Sequence, residues 1–451
     1  MKKYVQNRNQ LLSHGATRLR GLALEIVDAA LDASDPYRLT RARVSLNGSD
    51  LRVSHLTYDL SGRGNVYVLG AGKATYPIAR ALEDVLGDRI SDGLIVLKRG
   101  QGGSLKRIRV IEASHPIPDS SGLRGARDML ELASGAREGD LVLACITGGS
   151  SALLPMPIRG VTLRDKQRVT RLLLSCGASI LEINAVRKHL SRIKGGRLAM
   201  AVFPAELINL TVSDVIGDPL DCITDLTVPD TSTFEDAMRT LKKYALLEKV
   251  PRSVRAHIER ADPRDESPGD FGSRPCHSFV LANNDAACSA AAARAEALGL
   301  RAMIVSKRCD GESRELGRAF AAIAKEVRRG KRPLEAPCVL IAGGETVVAL
   351  TRNFGKGGPN QEFVLSLALA MQGEDDFVAV GLDTDGTDGP TPVAGAIADG
   401  CTVASAPARG VDLQRALQEH TALPAFTALN DAIITGPTGT NVNDLKLLIL
   451  A

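Results

Sequence analysis

The sequence predicts an α/β protein of two domains, and three observations predict it. Short apolar, β-rich runs alternate with longer stretches of helical periodicity along almost the whole chain. The 451 residues exceed what one hydrophobic core ordinarily serves. The polar, Pro- and Gly-rich stretch "ADPRDESPGDFGSRP" (261–275) is the best boundary, giving expected domains 1–262 and 275–451. No internal repeat or low-complexity tract interrupts this pattern.

Taken in order, the expected strands are VYVLG from Val66, LIVLK from Leu94, IRVIEA from Ile108, LVLACI from Leu141 and LINLTV from Leu207. SFVLAN from Ser278, AMIVS from Ala302, CVLIA from Cys338, FVAVGL from Phe377 and LKLLIL from Leu445 follow. Helical periodicity lies between them, notably over 164–182, 285–298 and 312–328. Such alternation implies largely parallel sheets, with ligand sites in the loops beyond the carboxyl ends of the strands.

Composition narrows the function. Aromatics are 3% of the chain with no Trp, which argues against a base-stacking platform for nucleic acid. The net charge of +4 permits anionic small-molecule substrates without announcing a nucleic-acid or membrane binder. No apolar stretch approaches the length of a membrane span, and the start lacks the apolar core of a signal peptide. The eight Cys are scattered with no C-x-x-C pair, as suits reduced thiols in a cytoplasm. A homodimer is compatible with this reading.

The first chemical candidate is GAGKAT, Gly70 to Thr75, directly after an apolar run. Gly70, Gly72 and Lys73 at a strand-to-helix turn suit an anion near a helix N-terminus. The third glycine of the dinucleotide fingerprint and the P-loop pattern are both missing, so a simple tight turn also fits. Lys98 and Arg99 after the next strand keep an NADP 2′-phosphate in play. CITGGSSALL repeats the design with Gly148, Gly149, Ser150 and Ser151. NAVRKHLSRIKGGRLA carries Arg187, Lys188, His189, Arg192, Lys194 and Arg197, either as a solvated helix face or around a second helix start at Gly195-Gly196. TVSDVIGDPLD places Asp214 and Asp218 past a strand end, where a carboxylate can act as general base, help hold Mg²⁺ or shape a turn.

Four polar loops crowd the C-terminal half: AGGET (342–346), GKGGPNQE (355–362), DTDGTDGP (383–390) and TGPTGTNVND (435–444). DTDGTDGP begins like a calcium loop but has glycine fourth rather than sixth and Ala394 at the twelfth position. No nucleophile elbow and no clustered zinc ligands occur. Three classes remain: phosphoryl transfer, an NAD(P)H-dependent reductase, and a non-catalytic sensor of phosphorylated metabolites.

GAGKA, SHPIPD (114–119), TGGSSALL, INAVRKHLSRIKGGRLA, SDVIGDP, GGET, GGPNQE, GLDTDGTDG and GPTGTNVNDL, in this order, closely resemble the class II glycerate 2-kinases with a MOFRL-type C-terminal domain. Members of that family are often also labelled hydroxypyruvate reductases. The resemblance spans about Leu22 to Leu450. It implies a Rossmann-like N-terminal domain with a parallel sheet, a smaller α/β C-terminal domain and an active site in the cleft between them. It also implies Mg²⁺ and ATP, with D-glycerate converted to 2-phosphoglycerate. The family's essential lysine falls on Lys73 and its loop aspartate on Asp214, the expected catalytic pair. Expected substrate contacts are Ser150, Ser151, Arg187, Lys188 and Asp218. Expected nucleotide contacts are Gly70, Gly72, Gly343, Gly344, Glu345, Asn360, Thr438 and Asn441, and Asp383, Asp385 and Asp388 are the expected metal ligands, holding Mg²⁺ or ordering the loop around it. Two departures stand out: Pro359 replaces the Arg of G-G-R-N-Q-E, and Thr224-Asp225-Leu226-Thr227 replaces S-G-P-T before V-P-D.

Overall fold

A computed structural model describes residues 2–350 and 354–451. The chain forms two compact units, here named for their place in the sequence: a middle unit, Pro36–Leu281, and a terminal unit, Met1–Asp35 with Ala282–Ala451.

The middle unit begins with a small antiparallel sheet of β1 (Val44–Asn47), β2 (Asp50–Val53) and β3 (Leu56–Asp59). These four-residue strands hold too few apolar residues to stand out in the sequence; in β2 only Leu51 and Val53 are buried. Its main sheet contains β4 (Val66–Ala71), β5 (Ile90–Lys98), β6 (Arg109–Ala113), β7 (Leu141–Ile146), β8 (Glu206–Val212) and β9 (Cys276–Ala282), in the order β6-β5-β4-β7-β8-β9. Pairing is parallel from β6 across to β8. Every residue of β7 is buried, which is why that strand reads as an unbroken apolar run. Strand order runs outward in one direction from β4 and in the other from β7, the doubly wound order of dinucleotide-binding folds. Ligands of such sheets bind beyond the carboxyl ends of the two strands at which the order reverses.

Helices cover this sheet, and a separate apolar cluster joins the helices Leu163–Ser175, Ile180–His189, Phe234–Lys243 and Arg252–Arg260. The single helix expected over 164–182 is two. Gly177 turns left-handed at φ +76°, and Ser179 with Glu182 forms a capping box that starts the next helix.

The terminal unit has β10 (Arg301–Cys309), β11 (Cys338–Gly344), β12 (Phe377–Asp383), β13 (Gly395–Asp399), β14 (Ala432–Ile433) and β15 (Asp444–Leu450), in the order β10-β11-β15-β12-β13-β14. Only β10 and β11 pair in parallel, so the expectation of largely parallel sheets fails here. The cause is β15, which returns at the end of the chain and runs antiparallel between β11 and β12. The helix Pro359–Ala370 is buried from Asn360 to Ala368 and packs Phe363, Val364 and Leu367 into the core.

The boundary expected at 262–275 does not divide these units. The first 35 residues fold with the C-terminal half. Arg20, 1% exposed, donates 2.6 Å hydrogen bonds to both Asp399 and Asp431, and Gln6 N–H donates to the Ile434 carbonyl. The segment 261–275 belongs to the middle unit, where Leu207 N–H donates to the Pro275 carbonyl and β9 extends the sheet. The eight cysteines are all free, and among the described residues no helix is long and apolar enough to cross a membrane.

Candidate active site

The reversal point of the middle sheet is built from β4 and β7, which pair in register as far as Ala71 opposite Ile146. Past the strand ends the two loops lock together. Thr147 N–H donates to the Ala71 carbonyl at 2.9 Å, Lys73 N–H to the Gly148 carbonyl at 2.8 Å, and Thr75 Oγ1–H to the Cys145 carbonyl at 2.8 Å. A Cβ on Gly70 would strike the Cys145 side chain, and one on Gly72 (φ +138°) would strike Thr147. These glycines let one loop touch the other. Thr147 packs directly against the Cα of Gly72. Close packing between the two loops is one reason that Gly70 and Gly72 must be glycines. Arg99, offered for a 2′-phosphate, is instead paired with Asp119, the cap of the helix Ser120–Gly135.

Three further side chains gather on the Gly148–Gly149 turn that follows β7. A Cβ on Gly149 (φ +88°) would stand 3.3 Å from Lys73 Cγ and 3.4 Å from His115 Nε2. A Cβ on Gly148 would collide with the Asp214 carboxylate. The loops after β4, β6 and β8 thus deliver Lys73, His115 and Asp214 to one small turn. Sequence reasoning gave His115 no role. The signal was available in SHPIPD, which follows β6 and therefore opens at the same end of the sheet. Ser150 is buried just past the turn, and Asp218, at φ +56°, lies further along the loop of Asp214.

Next to Ser150, the Ser151 hydroxyl accepts a 2.6 Å hydrogen bond from Lys194 Nζ, which joins the turn to the basic segment 187–197. That segment is not a solvated helix face. Lys188 and Lys194 are buried, as is Lys166 from the preceding helix. Lys188 is held by Asp230 at 3.0 Å and Asp221 at 3.7 Å, and these carboxylates outweigh burial so that its pKa rises. Lys194 lies 3.8 Å from Asp225; burial, aided by Arg187 and Lys188, still brings its pKa down to about 7. Burial likewise pushes Lys166 well below the usual lysine range, its ammonium donating only to the Leu190 carbonyl. Arg197 donates to the carbonyls of Lys188, Lys194 and Asp265. The half-buried Arg187 guanidinium makes no hydrogen bond or ion pair among the described residues, with Asp225 the charge that offsets its burial. His189 is fully enclosed between the Ala185 carbonyl and Glu266 and serves the packing. Buried cations gathered in this way can attract an oxyanion.

In the terminal unit, Gly344, Asp383 and Asp444 are register partners, so the loops holding the expected nucleotide contacts meet at one end of its sheet. Gly343 and Gly344 pack tightly, because a Cβ would strike the Asn284 carboxamide or the Cys309 backbone. Glu345 is exposed, Thr438 Oγ1–H donates to the Thr384 carbonyl, and Asn441 Oδ1 accepts from Asn443 N–H. Asn360 Nδ2–H₂ bridges Asp388 and Asp444, and Lys446 Nζ completes that buried network at 2.6 Å from Asp444. Asn360 Oδ1, Gln361 Oε1 and Thr440 Oγ1 are buried here without a hydrogen-bond partner.

The aspartates of DTDGTDGP are engaged in hydrogen bonds within the fold. Among the described residues no group of three or more His, Cys, Asp or Glu could hold a cation. Asp388 caps the helix Pro359–Ala370: one oxygen accepts from Asn360 N–H and Nδ2–H₂, the other from Gln361 N–H and Nε2–H₂. Asp385 accepts from Thr387 N–H and Oγ1–H, and Asp383 from Asp385 N–H. These bonds order the loop.

Two families match the chain: a "Domain of unknown function (DUF4147)" over residues 22–259, and the "MOFRL family" over residues 338–444. A glycerate 2-kinase of Pyrococcus horikoshii is 42% identical, covering 96% of this chain and 98% of its own. A protein of Agrobacterium vitis with a provisional hydroxypyruvate reductase name is 39% identical over 86% of this chain and 88% of its own. The crystal structure of glycerate kinase from Thermotoga maritima superposes with a TM-score of 0.83 at 38% identity, covering 96% of this chain and 100% of that one. On sequence, extent and fold together, the chain belongs to the glycerate 2-kinase family.

Proposed function

We propose that the protein is a glycerate 2-kinase, transferring the γ-phosphoryl group of ATP to the 2-hydroxyl of D-glycerate to give 2-phosphoglycerate. The observation that carries this reading is the gathering of Lys73 and Asp214 on the Gly148–Gly149 turn, beside a buried cationic pocket. Transfer of a phosphoryl group asks little covalent chemistry of a protein and much positioning and charge neutralisation. Lys73 supplies positive charge for the oxygens of the group in transit. Asp214 accepts the proton of the attacking hydroxyl at a carboxylate oxygen. Arg187 and the Ser150–Ser151 hydroxyls hold the carboxylate of glycerate, with Lys188 and Asp218 flanking them.

The nucleotide side of the reading rests on the terminal unit, where the unpartnered oxygens of Asn360, Gln361 and Thr440 stand at the loop end of the sheet. Mg²⁺ bound with the triphosphate would supply charge neutralisation there. A reductase is disfavoured because GAGKAT lacks the third glycine of the dinucleotide fingerprint.

The test is an ATP- and Mg²⁺-dependent assay on D-glycerate, with the product isomer identified by NMR. The expected product is 2-phosphoglycerate, with no NADPH oxidised in the presence of hydroxypyruvate. Metal-independent NADPH turnover without a phosphorylated product would refute the kinase reading.

A further inference from the structure

Lys194 is 0% exposed, and its ammonium donates to Ser151 Oγ at 2.6 Å. An ammonium has three N–H donors and no lone pair, so the serine oxygen can only accept there. A serine hydroxyl carries one proton, which this contact leaves for another acceptor. No other hydrogen bond of the Ser151 hydroxyl is found among the described residues, and the residue is half-buried rather than enclosed. It also stands immediately after Gly148, Gly149 and Ser150, the turn that receives Lys73 and Asp214. On the other side of the ammonium is Asp225, 3.8 Å away and 3% exposed, with one oxygen that accepts no hydrogen bond.

We infer that Lys194 is a positioning residue of the oxyanion site, turning the Ser151 hydroxyl so that its proton is donated to a carboxylate or phosphoryl oxygen of the bound substrate. The inference deepens the kinase reading and rests on it, because the oxyanion is that reaction's substrate. Asp225 acts through Lys194 by offsetting its charge, which is a role for the acidic residue in the segment Thr224–Thr227.

The relay makes oxyanion affinity depend on pH. Burial holds Lys194 near a pKa of about 7; Asp225 raises it, while Arg187 and Lys188 lower it further. Lys166 shares this surround, feeling the charges of Lys194, Arg187, Arg197 and Asp225. Below that value the ammonium forces Ser151 to donate outward. Above it the neutral amine gains a lone pair, competes for the serine proton, and the substrate loses a donor.

The experiment measures kcat and KM for D-glycerate and for ATP from pH 6 to 9, on the full chain and on Lys194→Met, Lys194→Arg, Ser151→Ala and Asp225→Asn. In the unaltered protein the KM for D-glycerate should rise about tenfold across that range, the scale of one hydrogen bond to a charged group. Lys194→Met should show the raised value at every pH, and Ser151→Ala added to it should change nothing more. Asp225→Asn should move the break to lower pH, and the always-charged Lys194→Arg should keep the low KM to pH 9. If the oxyanion is the phosphoryl group in transit, the same pattern appears in kcat with KM unchanged.

A folded Lys194→Met that keeps the parent's KM, kcat and pH profile overturns the inference, as do effects of Lys194→Met and Ser151→Ala that simply add. Should Lys194→Met not fold, Ser151→Ala and Asp225→Asn carry the same comparison. Calorimetric binding of D-glycerate without ATP separates the two levels. Binding with the pH break but no phosphoglycerate formed refutes the kinase and keeps the relay; turnover with no break refutes the relay and keeps the kinase.

Discussion

Replacing Gly148 with alanine tests the active-site geometry with a single methyl group. Gly148 does not have a positive φ, so alanine fits its backbone without strain. The added Cβ, however, would occupy space held by the Asp214 carboxylate. Asp214 is half-buried on a loop and can yield, so the cost in stability should fall toward the low end of the usual overpacking range, about 1 kcal/mol. The catalytic cost should be larger. Displacing a general base by ~1 Å takes about 100-fold from kcat, or about 2.7 kcal/mol of transition-state stabilisation. The assay is steady-state phosphorylation of D-glycerate, with thermal unfolding as the control for folding. A double-mutant cycle then isolates the collision. In an Asp214→Ala background the methyl group meets no carboxylate, and Gly148→Ala should cost little further activity. If Gly148→Ala keeps full kcat, or is as damaging without Asp214 as with it, the assignment of Asp214 to the Gly148 turn in catalysis is wrong.

Lys73→Ala should lower kcat by roughly two orders of magnitude, as loss of a comparable electrostatic group does, while unfolding at nearly the parent temperature. Near-normal turnover would mean that the backbone N–H groups of the two loops, and not the lysine, neutralise the phosphoryl charge. Asp388 gives a stability prediction with a definite sign. Burial raises its pKa from 3.8 to about 6 against the hydrogen bonds that pull it down. The folded protein therefore binds this proton more tightly than the unfolded chain. The contribution is fully present below about pH 4 and is lost as pH rises to about 6, a change of about 3 kcal/mol. Urea unfolding of the parent and of Asp388→Asn should show their stability difference shift by that amount across this window; a constant difference refutes the shift.

Apolar runs were what the sequence revealed, whether or not the strand is buried throughout: IRVIEA and AMIVS mark the partly exposed β6 and β10. LVLACI and LKLLIL become β7 and β15, each buried at every position. The short β1–β3, β13 and β14 hold too few large apolar residues to stand out, although β13 is buried at every position. Charge pairs across the chain were equally hidden: Arg20 reaches Asp399 and Asp431, some 400 residues away, and no local pattern announces that helix Thr17–Ala33 belongs with the C-terminal half. The meeting of Lys73 and Asp214 at the Gly148–Gly149 turn was legible because both stand just past an obvious strand end. Asp388 misled for a related reason. Its glycine-rich, acidic loop looks like a cation loop, whereas the donors that satisfy it, Asn360 and Gln361, come from a helix start nearly 30 residues earlier. The basic run 187–197 was ambiguous because charge pattern alone does not report burial, and burial decides its chemistry.

That burial explains why the site is built of more cations than it can pair internally. Asp230 satisfies Lys188, but Asp225 alone answers both Lys194 and Arg187, while Lys166 and Arg197 have carbonyl oxygens in place of carboxylates. Such an arrangement is costly in the free protein, since each desolvated charge without a full partner forgoes its hydration. A bound oxyanion relieves that cost at the place where Ser151 and Arg187 meet solvent. If the hydroxy acid binds there as proposed, part of its affinity would come from this relief rather than from new contacts. On the same proposal Asp225 would trim this surplus: Asp225→Asn should strengthen retention of the more highly charged phosphorylated product more than that of the substrate, and unchanged product inhibition would refute it.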